Sequence, residues 1–192
     1  MAIAFHVTFG AYGFWLPNDP RGSWSDYVFA PRLRRFGPAT KVATRRSVAH
    51  VGHDHQQRME AKKALKHSPV LLNDPQIEAV GRGFEQAIDE TGLRVLACAI
   101  MPDHVHLVFA AHERKNASLV GQLKSRGTKH LNSESIHPLA GENTPWAAGH
   151  WEVFLDTEDE VHQAVEYVEQ NPVQAGQPRQ EWPFVVSIYV DR

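Results

Sequence analysis

Near the middle of the chain two apolar runs, residues 93–100 and 104–111, are separated only by Met101-Pro102-Asp103. Two strand-like runs joined by so short a turn fold back on each other as an antiparallel hairpin. A helical pattern flanks this hairpin on each side. Residues 75–90 repeat apolar side chains at Ile77, Val80, Phe84, Ala87 and Ile88, with Pro75 in the first turn and Gly92 just past the end. Leu119, Val120, Leu123 and Leu131 mark a second helix over residues 116–132. Strands are expected at 3–12 and at 151–155, where β-branched and aromatic residues gather. A last helix opens with Thr157 and Glu160 in a capping-box pattern, carries a Val161/Ala164/Val165/Val168 stripe, and is expected to end at Asn171-Pro172. The order β, α, β, β, α, β, with one helix added, predicts an α+β split plait with an antiparallel sheet.

The chain of 192 residues suits one domain, 1–192, with an insertion at 17–74. Pro17, Asn18, Asp19, Pro20, Gly22, Pro31, Gly37 and Pro38 punctuate that insertion, so regular structure is not expected before about Val51; a short helix is expected over 55–66. Hydrophobic residues at 42% are enough for a core. No apolar run approaches the roughly 18–20 residues of a membrane span. A single cysteine, Cys98, excludes a disulfide framework and a Cys-rich zinc module. No basic leader or small-residue cleavage site opens the sequence, so a cytoplasmic protein is expected.

Net charge is −2, but it is unevenly spread. Residues 21–66 hold 11 Lys and Arg against 3 Asp and Glu, whereas the rest holds 9 against 19. A basic stretch on an acidic body fits a local footprint for phosphates, and equally a solvated insertion with no partner.

The first chemistry-bearing pair is His104 and His106. On a strand they project from one face, about 7 Å apart, while Val105, Leu107 and Phe109 face the other way. Two such imidazoles can converge on a metal ion or a phosphate; they can also be half-buried histidines bonded to backbone carbonyls. The second pair is Tyr167 and Asn171, four apart and so on one face of the last helix. At 100° per residue Tyr167 lies about 110° from the centre of the apolar stripe, at its flank. That position suits a phenol reaching a substrate, or an ordinary boundary tyrosine.

Together these segments resemble a known family. Ala99-Ile100-Met101-Pro102-Asp103-His104-Val105-His106-Leu107-Val108-Phe109 resembles the His-hydrophobe-His core of the single-tyrosine HUH transposases. The stretch from Tyr167 through Asn171-Pro172-Val173-Gln174-Ala175-Gly176 is similar to their tyrosine helix, with an ending typical of REP-associated tyrosine transposases. The resemblance covers residues 3–16 and 75–176. It implies a ferredoxin-like (RRM-like) plait and a metal-dependent enzyme that nicks and transfers single-stranded or hairpin DNA through a 5′-phosphotyrosine. On that implication Tyr167 is the nucleophile, and His104, His106 and Asn171 hold Mg²⁺ or Mn²⁺. By ligand type, two imidazoles suit zinc or manganese better than magnesium. Related enzymes include homodimers, in which the tyrosine helix serves the partner's histidines, and monomers; the sequence leaves both open. A non-catalytic, domesticated DNA-binding protein of the same fold is the alternative.

The DNA contacts expected from residue type are Arg34, Arg35, Arg45 and Arg46 in the insertion, Lys124 and Lys129 on the helix after the hairpin, and Trp15 as a stacking platform. Tyr12, Tyr27 and Tyr189 are weaker nucleophile candidates, and Cys98 is expected in the core.

Overall fold

A computed structural model of the chain describes residues 2–14, 16, 31–37, 54–139 and 143–188. The hairpin is present, as β2 (Val95–Ile100) and β3 (His104–Ala110), closed by the Met101 N–H donating to the His104 carbonyl at 2.8 Å. β1 (Ala4–Gly10) lies between β3 and β4 (Trp151–Leu155), giving the order β2-β3-β1-β4 with every neighbouring pair antiparallel. The two connections across the sheet carry α2 (Asp74–Thr91) and α3 (Asn116–Ser133). This is the ferredoxin-like plait, and the helix added to it is α4 (Glu158–Gln174).

Strand alternation divides the sheet into two faces. Val7, Phe9, Val105, Leu107 and Phe109 pack against α2 and α3 in the larger core, which also takes Cys98. Burial raises the Cys98 thiol's pKa, so it behaves as a small apolar side chain. Ala4, Ala99, Val108 and Leu155 face the other way and meet Val161, Ala164, Val165 and Val168 of α4. At the crossing of α2 and α3, Gly83 allows close approach: a Cβ there would lie 2.6 Å from the backbone of Arg126 and Gly127.

Helix limits follow local chemistry. Asn73 and Gln76 form a reciprocal capping box at the start of α2, and Gly92, at φ 69°, ends it in the left-handed region. Thr157 and Glu160 do the same for α4, with Glu158, Asp159 and Glu160 in its first turn favouring the helix dipole. The far end of α4 departs from expectation. The helix does not stop at Asn171-Pro172 but runs to Gln174. Proline forfeits its own N–H bond and crowds the carbonyl one turn back, but the last turn recovers bonds elsewhere: Ala175 N–H donates to Asn171 O at 3.1 Å and Gln177 N–H to Pro172 O at 2.8 Å. Asn171 therefore sits inside the helix, in register with Tyr167.

The segment after α4 clasps the outer edge of β2. The Gln180 carboxamide donates to Ile100 O and accepts from Ile100 N–H, both at 2.8 Å, imitating a neighbouring strand. Val186 N–H then donates to Val95 O at 2.8 Å. Unpaired strand edges invite association, and this one is covered. Within the insertion, α1 (His55–Lys63) forms the expected short helix. It packs Ala61 with Leu16 and with Leu33 and Phe36 of a 3-10 turn at Pro31–Phe36. Among the described residues, no helix is long and apolar enough to cross a membrane.

Candidate active site

His104 and His106 share the α4 face of β3, with ring centroids 4.7 Å apart and planes at 89°. His104 is steered from its own turn: its Nδ1 lies 2.6 Å from Asp103 Oδ1. The turn is itself tied down, since Ala11 N–H donates to Asp103 O and Leu72 N–H to Pro102 O, each at 2.8 Å. His106 is buried, with 8% of its surface exposed. β1 runs alongside with Thr8 directly opposite His106. Thr8 Oγ1 lies 3.0 Å and His6 Nε2 3.1 Å from His106 Nδ1. Burial pushes the pKa of His106 well below the usual imidazole value, and the adjacent His104 and His6 add to this; the Asp103 charge opposes it more weakly. His106 is therefore a neutral imidazole at physiological pH.

The apolar stripe of α4 seats this helix on the same sheet face, and Tyr167 hangs from its flank over the imidazoles. Its ring centroid lies 5.5 Å from that of His106, at 87°, and 5.8 Å from that of His6, at 61°. The phenol remains half exposed, at 48%. Residues more than sixty positions apart in sequence thus meet within one chain. Asn171 follows one turn further along α4 and is partly buried.

Three members of the cluster escaped sequence reasoning: His6, Thr8 and Asp103. The signal for the first two was present, because Phe5-His6-Val7-Thr8-Phe9 places polar groups on alternate positions of an otherwise apolar strand. Asp103 lies in the turn and in the stretch that carries the family resemblance, but nothing in the sequence alone assigns its carboxylate to His104.

The expected DNA contacts fall in different places. Arg34 and Arg35 are exposed on the 3-10 turn, with the Arg35 guanidinium 4.8 Å over the Phe36 ring. Lys124 and Lys129 belong to α3, so the sheet stands between them and the imidazoles. Lys129 is exposed. The Lys124 ammonium is engaged structurally instead: it donates to Ala147 O at 2.9 Å and Gly149 O at 2.6 Å, and lies 5.0 Å over Phe9. Burial lowers its pKa to about 8. Trp15, Arg45 and Arg46 lie outside the described residues, as do Tyr27 and Tyr189. Tyr12 is occupied elsewhere, its hydroxyl accepting from Lys66 N–H at 3.1 Å. Trp146 belongs to the core between Phe9 and Phe84.

The family model for IS200-like transposases matches residues 64–171, more than half of the chain and the whole span from α2 to Asn171. The chain belongs to the IS200-like transposase family. Among solved structures, a REP-associated tyrosine transposase bound to a REP hairpin shares the fold, with a TM-score of 0.52 at 14% identity, over 95% of this chain and 75% of that one. A candidate transposase from Deinococcus radiodurans R1 matches over 88% of this chain and 91% of its own, with a TM-score of 0.45 at 16% identity. No curated protein matches the sequence. The family assignment makes this transposase a DNA-processing protein.

The groups of this transposase that could hold a cation are the two imidazoles, with the Asn171 amide one turn from the phenol. Among the described residues, no group of three or more His, Cys, Asp or Glu side chains is arranged to hold a metal. A neutral His106 and a carboxylate-oriented His104 nevertheless fit the usual pattern of ligating histidines. They fit an open site, completed by oxygen ligands, better than a closed structural one.

Proposed function

We propose that this transposase nicks single-stranded or hairpin DNA and transfers the strand through a covalent link to Tyr167. The observation that carries this reading is the Tyr167 ring set against His106 and His6 on a half-exposed flank of α4. A phosphodiester resists attack because its oxygens already carry negative charge. A divalent cation such as Mn²⁺ or Mg²⁺, held by His104, His106 and Asn171, would neutralise one of those oxygens.

Tyr167 Oη attacks the phosphorus in line and the bond to the leaving 3′ oxygen breaks. The protein becomes joined to the 5′ phosphate, the phenol loses its proton, and the departing 3′ oxygen takes one up. The new ester conserves the energy of the old one, so rejoining by a 3′ hydroxyl needs no nucleotide cofactor. Asp103 holds the His104 ring in place during this exchange, and the α4 stripe fixes where the phenol stands.

Hairpin oligonucleotides labelled at the 5′ or 3′ end, incubated with Mn²⁺ and resolved on denaturing gels, test the reading. Wild type is expected to retain one label as a protein adduct, and Tyr167→Phe to retain none. An adduct formed equally by Tyr167→Phe removes the nucleophile assignment. Hairpin binding by wild type with no adduct under any divalent cation supports the non-catalytic alternative.

A further inference from the structure

His6 has no place in the reaction described so far, yet it touches two of its participants. Its Nε2 lies 3.1 Å from His106 Nδ1, and its ring stands edge-on to Tyr167. A neutral imidazole has one N–H donor and one lone-pair nitrogen, so the proton position on His106 decides which nitrogen can ligate. Two groups converge on Nδ1, namely Thr8 Oγ1 at 3.0 Å and His6 Nε2 at 3.1 Å. Were Nδ1 the lone-pair nitrogen, its one in-plane lone pair would face either two hydrogens or one hydrogen and a second lone pair, and one contact would be repulsive. With the hydrogen on Nδ1, one N–H is shared between two acceptors, an ordinary three-centre bond.

We propose that His6, assisted by Thr8, is a positioning residue that holds the His106 proton on Nδ1 and so presents Nε2 as the ligating nitrogen. The neighbouring ring obeys the same logic. Asp103 Oδ1 lies 2.6 Å from His104 Nδ1, and an ionised carboxylate can only accept, so that ring also carries its proton on Nδ1. The two imidazoles are thus oriented from behind by different means, one by a carboxylate in its own turn and the other by a histidine and a threonine on the adjoining strand. Outer partners of this kind fix ring orientation and raise ligand basicity. The inference rests on the metal-assisted reading above.

Two measurements on the full chain test it. Long-range ¹H–¹⁵N spectra of the metal-free wild type are expected to show His106 protonated at Nδ1; protonation at Nε2 overturns the proposal and needs no variant. Mn²⁺ titrations followed by the electron paramagnetic resonance of the free ion then compare wild type, His6→Phe, His6→Gln and His106→Ala. Phenylalanine keeps a ring beside Tyr167 but offers no acceptor, so His6→Phe is expected to weaken Mn²⁺ binding about tenfold or more. His6→Gln, which restores an acceptor, is expected to recover part of that loss, a rescue that a packing role alone would not produce. Binding by His6→Phe within twofold of wild type overturns the role of His6. Equal binding by wild type and His106→Ala, or none by wild type, overturns the metal reading itself.

Discussion

At the scale of single residues the site is a set of orientations. His104 and His106 could be found from spacing, because a strand places alternate side chains on one face. What orients them could not, because it depends on register. Only the pairing of Thr8 with His106 brings β1 polar groups behind that ring. Asp103 is the exception, since it is a sequence neighbour of the ring it holds. Removing its charge should loosen that hold: Asp103→Asn keeps the shape and an acceptor oxygen but not the carboxylate. Mn²⁺ affinity, measured by the same titration, should fall about tenfold while the thermal midpoint changes little. Unchanged affinity would show that the hydrogen bond at 2.6 Å orients nothing that matters to the cation.

At the scale of elements the hairpin, α2, α3 and α4 were legible because each carries an unmistakable period or cap. The extension of α4 past Pro172 was not, because proline costs one donor while the surrounding turn supplies others. Nor did periodicity show how closely α2 and α3 cross. A Cβ on Gly83 meets backbone rather than a flexible side chain, so Gly83→Ala should destabilise the fold by about 1–3 kcal/mol in urea denaturation. A neutral effect would mean that the helices separate freely. Lys124 offers a test by pH. Its folded pKa, lowered by burial to about 8, lies below the ordinary lysine value. Between about pH 8 and about pH 10.5 the unfolded chain binds the extra proton, so folding stability rises with pH across that window. Relative to Lys124→Met, in which other titrations cancel, wild type should gain stability as pH climbs through it. A flat difference would mean that the carbonyls of Ala147 and Gly149 offset the whole cost of burying the charge.

At the scale of the whole molecule, charge and architecture separate. The plait and the phenol–imidazole cluster occupy the acidic part of the chain, whereas the basic excess lies in residues 21–66. Arg34 and Arg35 stand exposed at the surface of that stretch. If it tracks DNA phosphates, reversing Arg34, Arg35, Arg45 and Arg46 should weaken hairpin binding and flatten its dependence on salt by about one unit of slope per lost contact. An unaltered slope in filter-binding or anisotropy titrations would assign the stretch to solvation. Composition showed where this excess lies along the chain but not where it sits on the fold, because burial and facing are tertiary properties. The clasp has a consequence of its own. α4 is capped at one end by Thr157 and Glu160, and beyond its other end Gln180 and Val186 are fastened to β2. On the proposed reading, a nucleophile carried on a rod moored fore and aft would have the travel of a side chain, and the scissile linkage would have to be delivered to it.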